Sequence, residues 1–198
     1  MRILVLAAIA AFGVTLGACN RNGDMAEAPN VRRSTVVEPE IRGVDDVPQE
    51  EPAVARSQWR AASDTARSVT GNLRVSLLER RGGPVVFAFA TGITVRAQPY
   101  AQVDSDSRSG VGGQSYAAVL GGDPRVSAYL YRVQDENVTS SSARGGMCGE
   151  DVTRYLAVSE FVDGSGRWVF KIAAFKGEAA PAPGENPQVC NAYAYTAQ

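Results

Sequence analysis

The chain contains no histidine. That absence removes the commonest general base near neutral pH. A Ser-His-Asp triad, a Cys-His dyad, an HExxH site and any histidine-ligated zinc are excluded. Lysine is nearly absent as well. Among 20 basic residues only Lys171 and Lys176 are lysines, and the rest are arginines. Basic and acidic residues balance at 20 and 21, with no basic tail or stripe. Nucleic-acid binding normally leaves a concentrated positive footprint, so no nucleic-acid partner is expected. Cysteine is scarce, at three residues in 198. No apolar run reaches the roughly 20 residues that a helical membrane span requires. No set of side chains calls for a metal or other cofactor.

What is present begins at the N-terminus. Met1-Arg2 precedes an uncharged stretch from Ile3 to Val14, which leads into Leu16-Gly17-Ala18-Cys19. A basic start, a short apolar run and small residues before a cut site form a secretory signal. This segment, residues 1–20, resembles the signal peptide of bacterial lipoproteins, with Leu16, Gly17, Ala18 and Cys19 as the lipobox. The resemblance implies removal of residues 1–18, a diacylglycerol on the Cys19 thiol and an acylated amine. Asn20 stands where aspartate would specify inner-membrane retention under the enteric sorting rule. The implied location is therefore the outer membrane, facing the periplasm, with the membrane as a partner through the N-terminal lipid.

Cys148 and Cys190 remain once Cys19 is assigned to lipid. In an oxidising compartment they are expected to pair as a disulfide. Closing that loop contributes about 4 kcal/mol by chain entropy. The alternative, a metal-binding thiol pair, lacks histidine or close spacing.

Residues 19–57 read as a lipidated N-terminus followed by a disordered linker. Pro29, Pro39, Pro48 and Pro52 break the stretch, and Asp45, Asp46, Glu50 and Glu51 charge it. Such composition cannot bury enough surface to offset its ordering entropy. As a flexible tether it would reach roughly 35 Å.

Residues 58–198 read as an all-β domain. Leu73, Val75 and Leu77 alternate with polar neighbours, and Val85–Phe89 follows a turn-prone Arg81-Gly82-Gly83-Pro84. Ile93–Ala97, Tyr116–Leu120 and Val126–Val133 are further strand candidates. Tyr155–Val162, the turn Asp163-Gly164-Ser165-Gly166 and Trp168–Phe175 form the clearest hairpin. Trp168, Phe170 and Ile172 share one of its faces. Cys190–Thr196 closes the chain as a strand, with Asn191, Tyr193 and Tyr195 on one face. About seven or eight short strands predict a small antiparallel β-barrel or sandwich. A short helix around Gln58–Arg67 is the one helical candidate, and Thr65–Val69 reads equally as a strand.

The chemistry-bearing candidates are few. Asp135-Glu136 and Glu150-Asp151 are carboxylate pairs, but sequence neighbours point apart on a strand. Solvated loop charge is the favoured reading. Gly110-Val111-Gly112-Gly113 lacks the lysine and strand-to-helix context of a phosphate cradle. Asn137-Val138-Thr139 matches a glycosylation acceptor only by chance in this context. Tyr193, Tyr195 and Tyr116 are the candidate binding residues, on condition that their rings are exposed. Core and cross-strand packing is the favoured role for the strand aromatics.

A disulfide-bonded β-barrel on a lipid anchor is similar to the membrane-bound inhibitors of c-type lysozyme. In that family a serine-glycine pair stands two residues before a tyrosine. Here residues 111–115 separate Ser109-Gly110 from Tyr116, so no inhibitory residue carries over. The expected function is a lipid-anchored envelope protein with a non-catalytic binding or accessory domain, acting on an envelope protein or cell-wall partner. The alternatives are an inhibitor of a cell-wall hydrolase and a histidine-free enzyme using carboxylates or serine.

Overall fold

Period-two alternation is what the chain converts into structure. The computed structural model describes residues 56–79 and 82–197. Within them, eight strands run β1 Gln58–Ala61, β2 Leu73–Leu77, β3 Val85–Phe89, β4 Ile93–Val103, β5 Ala128–Val138, β6 Thr153–Val162, β7 Trp168–Lys176 and β8 Gln188–Ala197. Each pairs antiparallel with the next, and β8 returns to β1 through Trp59 opposite Ala197 and Ala61 opposite Tyr195. The result is a closed up-and-down barrel rather than a sandwich. Closure gives every strand a partner on both sides over part of its length, which limits open edges.

The interior is filled by large side chains. Trp59, Phe87, Tyr131, Phe170, Tyr193 and Tyr195 are almost wholly buried. Trp59 stacks on Phe170 with centroids 5.1 Å apart, and Phe87 meets Tyr131 edge-on at 5.7 Å. An eight-stranded barrel is just wide enough for such side chains to fill. Pro99 is tolerated within β4 because the β4–β5 register shifts beside it, between Pro99 and Ala101.

The two ends of the barrel differ. At the proximal end the described chain enters at Arg56, and here lie the β2–β3 and β6–β7 connections and the end of β8. At the distal end a π-helical turn over Ala66–Thr70 and the segment 139–152 close the opening. Thr70 Oγ1 and Tyr195 Oη lie 2.7 Å apart beneath the turn. The Cys148–Cys190 disulfide ties the closing segment to β8, with Cα atoms 5.2 Å apart. The expected pairing is therefore present, and it joins the C-terminal strand to the distal plug.

A second apolar layer lies outside the barrel. Tyr155 and Ala157 of β6 and Ala173 and Phe175 of β7 face outward and pack under Tyr116 and Leu120. This explains why β6 and β7 are apolar on both faces. Ala128 and Leu130 join that layer while Tyr131 turns into the barrel.

Three local expectations are corrected. Tyr116–Leu120 is a helix, α1, not a strand. Ser115 Oγ accepts from Ala118 N at 3.2 Å, and Gly121 ends α1 with φ +61°. Caps at both ends override a neutral apolar run. Of the helix considered over Gln58–Arg67, only residues 64–67 are helical; Gln58–Ala61 is β1, whose backbone is held by β2 and β8. Residues 66–70 coil instead of forming a strand, which lets the chain cross the distal opening. The lipobox residues Leu16, Gly17, Ala18 and Cys19 and the linker up to residue 55 lie outside the described residues.

Candidate binding cleft around Lys171

Lys171 sits on the outer face of β7, opposite Ser159 of β6 and Ala194 of β8. Its neighbours in sequence, Phe170 and Ile172, point into the barrel, so the strand period alone turns the ammonium outward. The surrounding shoulders come from distant parts of the chain. Ser63 follows β1, Gly121 follows α1, and Phe161 and Thr196 come from β6 and β8. Together they enclose an outer cleft of about 480 Å³. A methyl group added at Gly121 would touch Lys171 Nζ at 3.9 Å, so the ammonium reaches toward the end of α1.

Burial lowers the pKa of Lys171. No described carboxylate pairs with it. Asp163, the nearest acidic residue on the cleft's lip, is already committed. It accepts from the Ser165 hydroxyl at 2.6 Å and is bridged by Arg167 at 3.1 Å. Those hydrogen bonds hold its carboxyl well below the usual carboxylate range, the Ser165 hydroxyl first. The chain's other lysine behaves differently, for Lys176 Nζ meets Asp151 Oδ2 at 2.6 Å. A half-desolvated ammonium without a counter-charge is an unfavourable arrangement. An anion entering the cleft would relieve it.

Ser159 and Lys171 form the kind of pair from which a histidine-free nucleophile can be built. Two observations stand against that use. Ser159 is fully buried, and its hydroxyl has no hydrogen-bond partner, Lys171 included. A substrate carbonyl has no approach to a hydroxyl beneath the outer layer.

The carboxylate pairs Asp135-Glu136 and Glu150-Asp151 are brought together, which their spacing did not suggest. Both line one groove of about 390 Å³ beside Arg154. The central carboxylate is engaged with backbone, however. Glu136 Oε1 accepts from Met147 N at 2.8 Å and Oε2 from Thr153 N at 3.1 Å. Asp151 is taken by Lys176. Among the described residues no group of three or more histidine, cysteine, aspartate or glutamate side chains could hold a metal ion.

The tyrosine expectation is corrected. Tyr193, Tyr195 and Tyr116 are all buried, so the condition for a binding face is not met. Tyr193 donates to the Met147 carbonyl, as does Asn191 Nδ2 at 2.8 Å. Tyr116 donates to the Pro181 carbonyl at 2.6 Å. Burial raises the pKa of all three phenols. In β8 the aromatic face turns inward because only large rings fill the barrel, while Ala192 and Ala194 lie outside. Core packing, the favoured role, is what these rings do. Ser109 is also buried, donating to the Gln114 carbonyl at 2.8 Å, and so is not presented at a loop tip.

The proximal mouth holds residues that no motif marked. Glu160 continues the inward register of Leu156 and Val158, yet it is charged and half-buried. Burial pushes its carboxyl up to about 7, opposed in part by Arg56. The Arg56 guanidinium lies over the Trp168 ring at 4.6 Å. The available signals were a glutamate on the apolar face of a strand and a lysine in an arginine-rich chain.

No known protein family, curated protein or solved structure matches this chain.

Proposed function

We propose that the chain is a lipid-anchored protein of the bacterial cell envelope whose barrel is a non-catalytic binding domain. Its ligand presents an anionic group, a carboxylate or phosphate, to Lys171. The observation that supports this reading is the half-buried, unpaired ammonium in an outer cleft. The filled interior directs binding to the outside of the barrel rather than the inside. The N-terminal signal with Cys19 supplies the attachment, and the lack of histidine favours binding over chemistry.

Two measurements test the two halves. Cys19→Ala should move the protein from the membrane fraction to the soluble fraction. Titration with acetate and with inorganic phosphate should shift backbone NMR signals around Gly121, Phe161, Lys171 and Thr196. Lys171→Met should abolish those shifts. Shifts that are absent, or that persist in Lys171→Met, overturn the cleft assignment and leave the anchor standing.

A further inference from the structure

The proximal end of the barrel collects apolar surface in one place. Leu78 is 51% exposed, Val162 47% and Trp168 39%. They are linked through the entering chain. Val162 pairs with Trp168 across the β6–β7 turn. Arg56 lies over Trp168, and Trp59 Nε1 holds the Arg56 carbonyl at 2.9 Å. Ser57 O accepts from Val75 N at 3.0 Å, and Leu78 N donates to Pro84 O at 3.0 Å at the top of β2. The rim thus runs from the β2–β3 connection past Arg56 to the β6–β7 turn.

We infer that this rim rests on the surface of a lipid bilayer. The inference depends on the anchor reading given above. Residues 20–55 connect Cys19 to Arg56, so an anchored chain reaches the barrel at this end and no other. Tryptophan is the side chain best suited to the headgroup level, where an apolar ring and a polar N–H are both accommodated. Arginines complement anionic headgroups. Arg56 belongs to the rim. Arg167 neutralises Asp163 there. Glu160 faces Arg56 rather than an unpaired surface.

The distal end has the opposite character. Val138 and Val152 are exposed there, but they share a groove with Asp135, Glu136, Glu150 and Asp151. Glu136 is held there by backbone amides and Asp151 by Lys176, which leaves Asp135 and Glu150 beside Arg154. The chain's course, entering at Arg56, selects the proximal end. With the proximal rim on the bilayer, the distal end faces away from it. The Lys171 cleft shares Asp163 and Arg167 with this rim.

The test uses the acylated full-length chain on vesicles of phosphatidylethanolamine and phosphatidylglycerol with brominated acyl chains. The protein has two tryptophans. Trp59 is fully buried in the barrel, so the vesicle-dependent change reports Trp168. Bromolipids should quench the Trp168 emission about twofold, shallow bromines more than deep ones, as expected for a ring at the headgroup level. Trp168→Phe should remove the quenched component. Val162→Asp, which keeps the fluorophore, should weaken the quenching. Protein that sediments with vesicles but is not quenched overturns the contact while leaving the anchor intact. Protein that fails to sediment overturns the anchor reading. The unacylated Cys19→Ala chain at saturating vesicle concentration then decides the contact alone, quenching supporting it and no quenching overturning it.

Discussion

Glu136 and Met147 are joined by a 2.8 Å hydrogen bond from the Met147 amide to the Glu136 carboxylate. The other carboxylate oxygen takes Thr153 N at 3.1 Å, so one side chain on β5 holds both sides of the cystine segment. Gly146 lies so close that a Cβ there would sit 2.6 Å from Glu136 Oε1. The segment is therefore shaped around the carboxylate. Glu136→Ala should destabilise the fold by roughly 2 kcal/mol, because two part-buried amides lose a charged acceptor. Glu136→Gln keeps one acceptor and should cost less. Urea unfolding of the two variants checks the order.

Cys148 and Cys190 close a loop of 42 positions over the distal opening. Reduction, or replacement of both by serine, should lower stability by about 4 kcal/mol in the chain-entropy picture. The loss should be read as a lower denaturant midpoint in reducing than in oxidising buffer. Wild type and double variant should coincide under reducing conditions.

The strands that alternate cleanly were legible in the sequence, as was the pairing of Cys148 with Cys190. The hairpin from Tyr155 to Phe175 lies where its period and turn residues place it. Tyr116–Leu120 was not legible, because Tyr-Ala-Ala-Val-Leu is compatible with strand or helix and the caps Ser115 and Gly121 decide. For β8 the period separated Tyr193 and Tyr195 from Ala192 and Ala194. It did not say which face turns inward, since that is fixed by the volume the closed barrel must fill. The Lys171 cleft was hidden for a different reason. Its walls come from residues 62, 63, 121, 161, 194 and 196, among others, which only the closed sheet and its outer layer bring together.

Glu160 predicts a pH effect with a definite sign. Its folded pKa of about 7 lies above the ordinary 4.5, and burial is the main cause. Between those values the folded state binds more protons than the unfolded state. Stability from this group therefore falls as pH rises from 4.5 to 7. The magnitude is of order 1 kcal/mol once partial exposure is discounted. Glu160→Gln should be more stable than wild type at pH 8 and similar to it at pH 4. Thermal unfolding at the two pH values decides the matter, and an equal gain at both would remove Glu160 as the cause.

Lys171 carries the opposite linkage and the clearest trade between stability and binding. Burial lowers its folded pKa below the unfolded value, so the folded state disfavours the charged form. At neutral pH both states are charged and the desolvation cost is fully present. That cost disappears as pH rises through the folded pKa toward the ordinary lysine value. Lys171→Met keeps the apolar stem and removes the ammonium. It should raise stability at pH 7 by a small amount, because solvent screens a half-exposed group. Phosphate should close the gap from the other side. Bound to the cleft, it stabilises wild type in proportion to the logarithm of its concentration and leaves Lys171→Met unchanged. Melting curves at increasing phosphate, with sodium chloride as the ionic-strength control, should therefore converge. Parallel curves would mean that Lys171 is a desolvated surface lysine with no ligand of that kind.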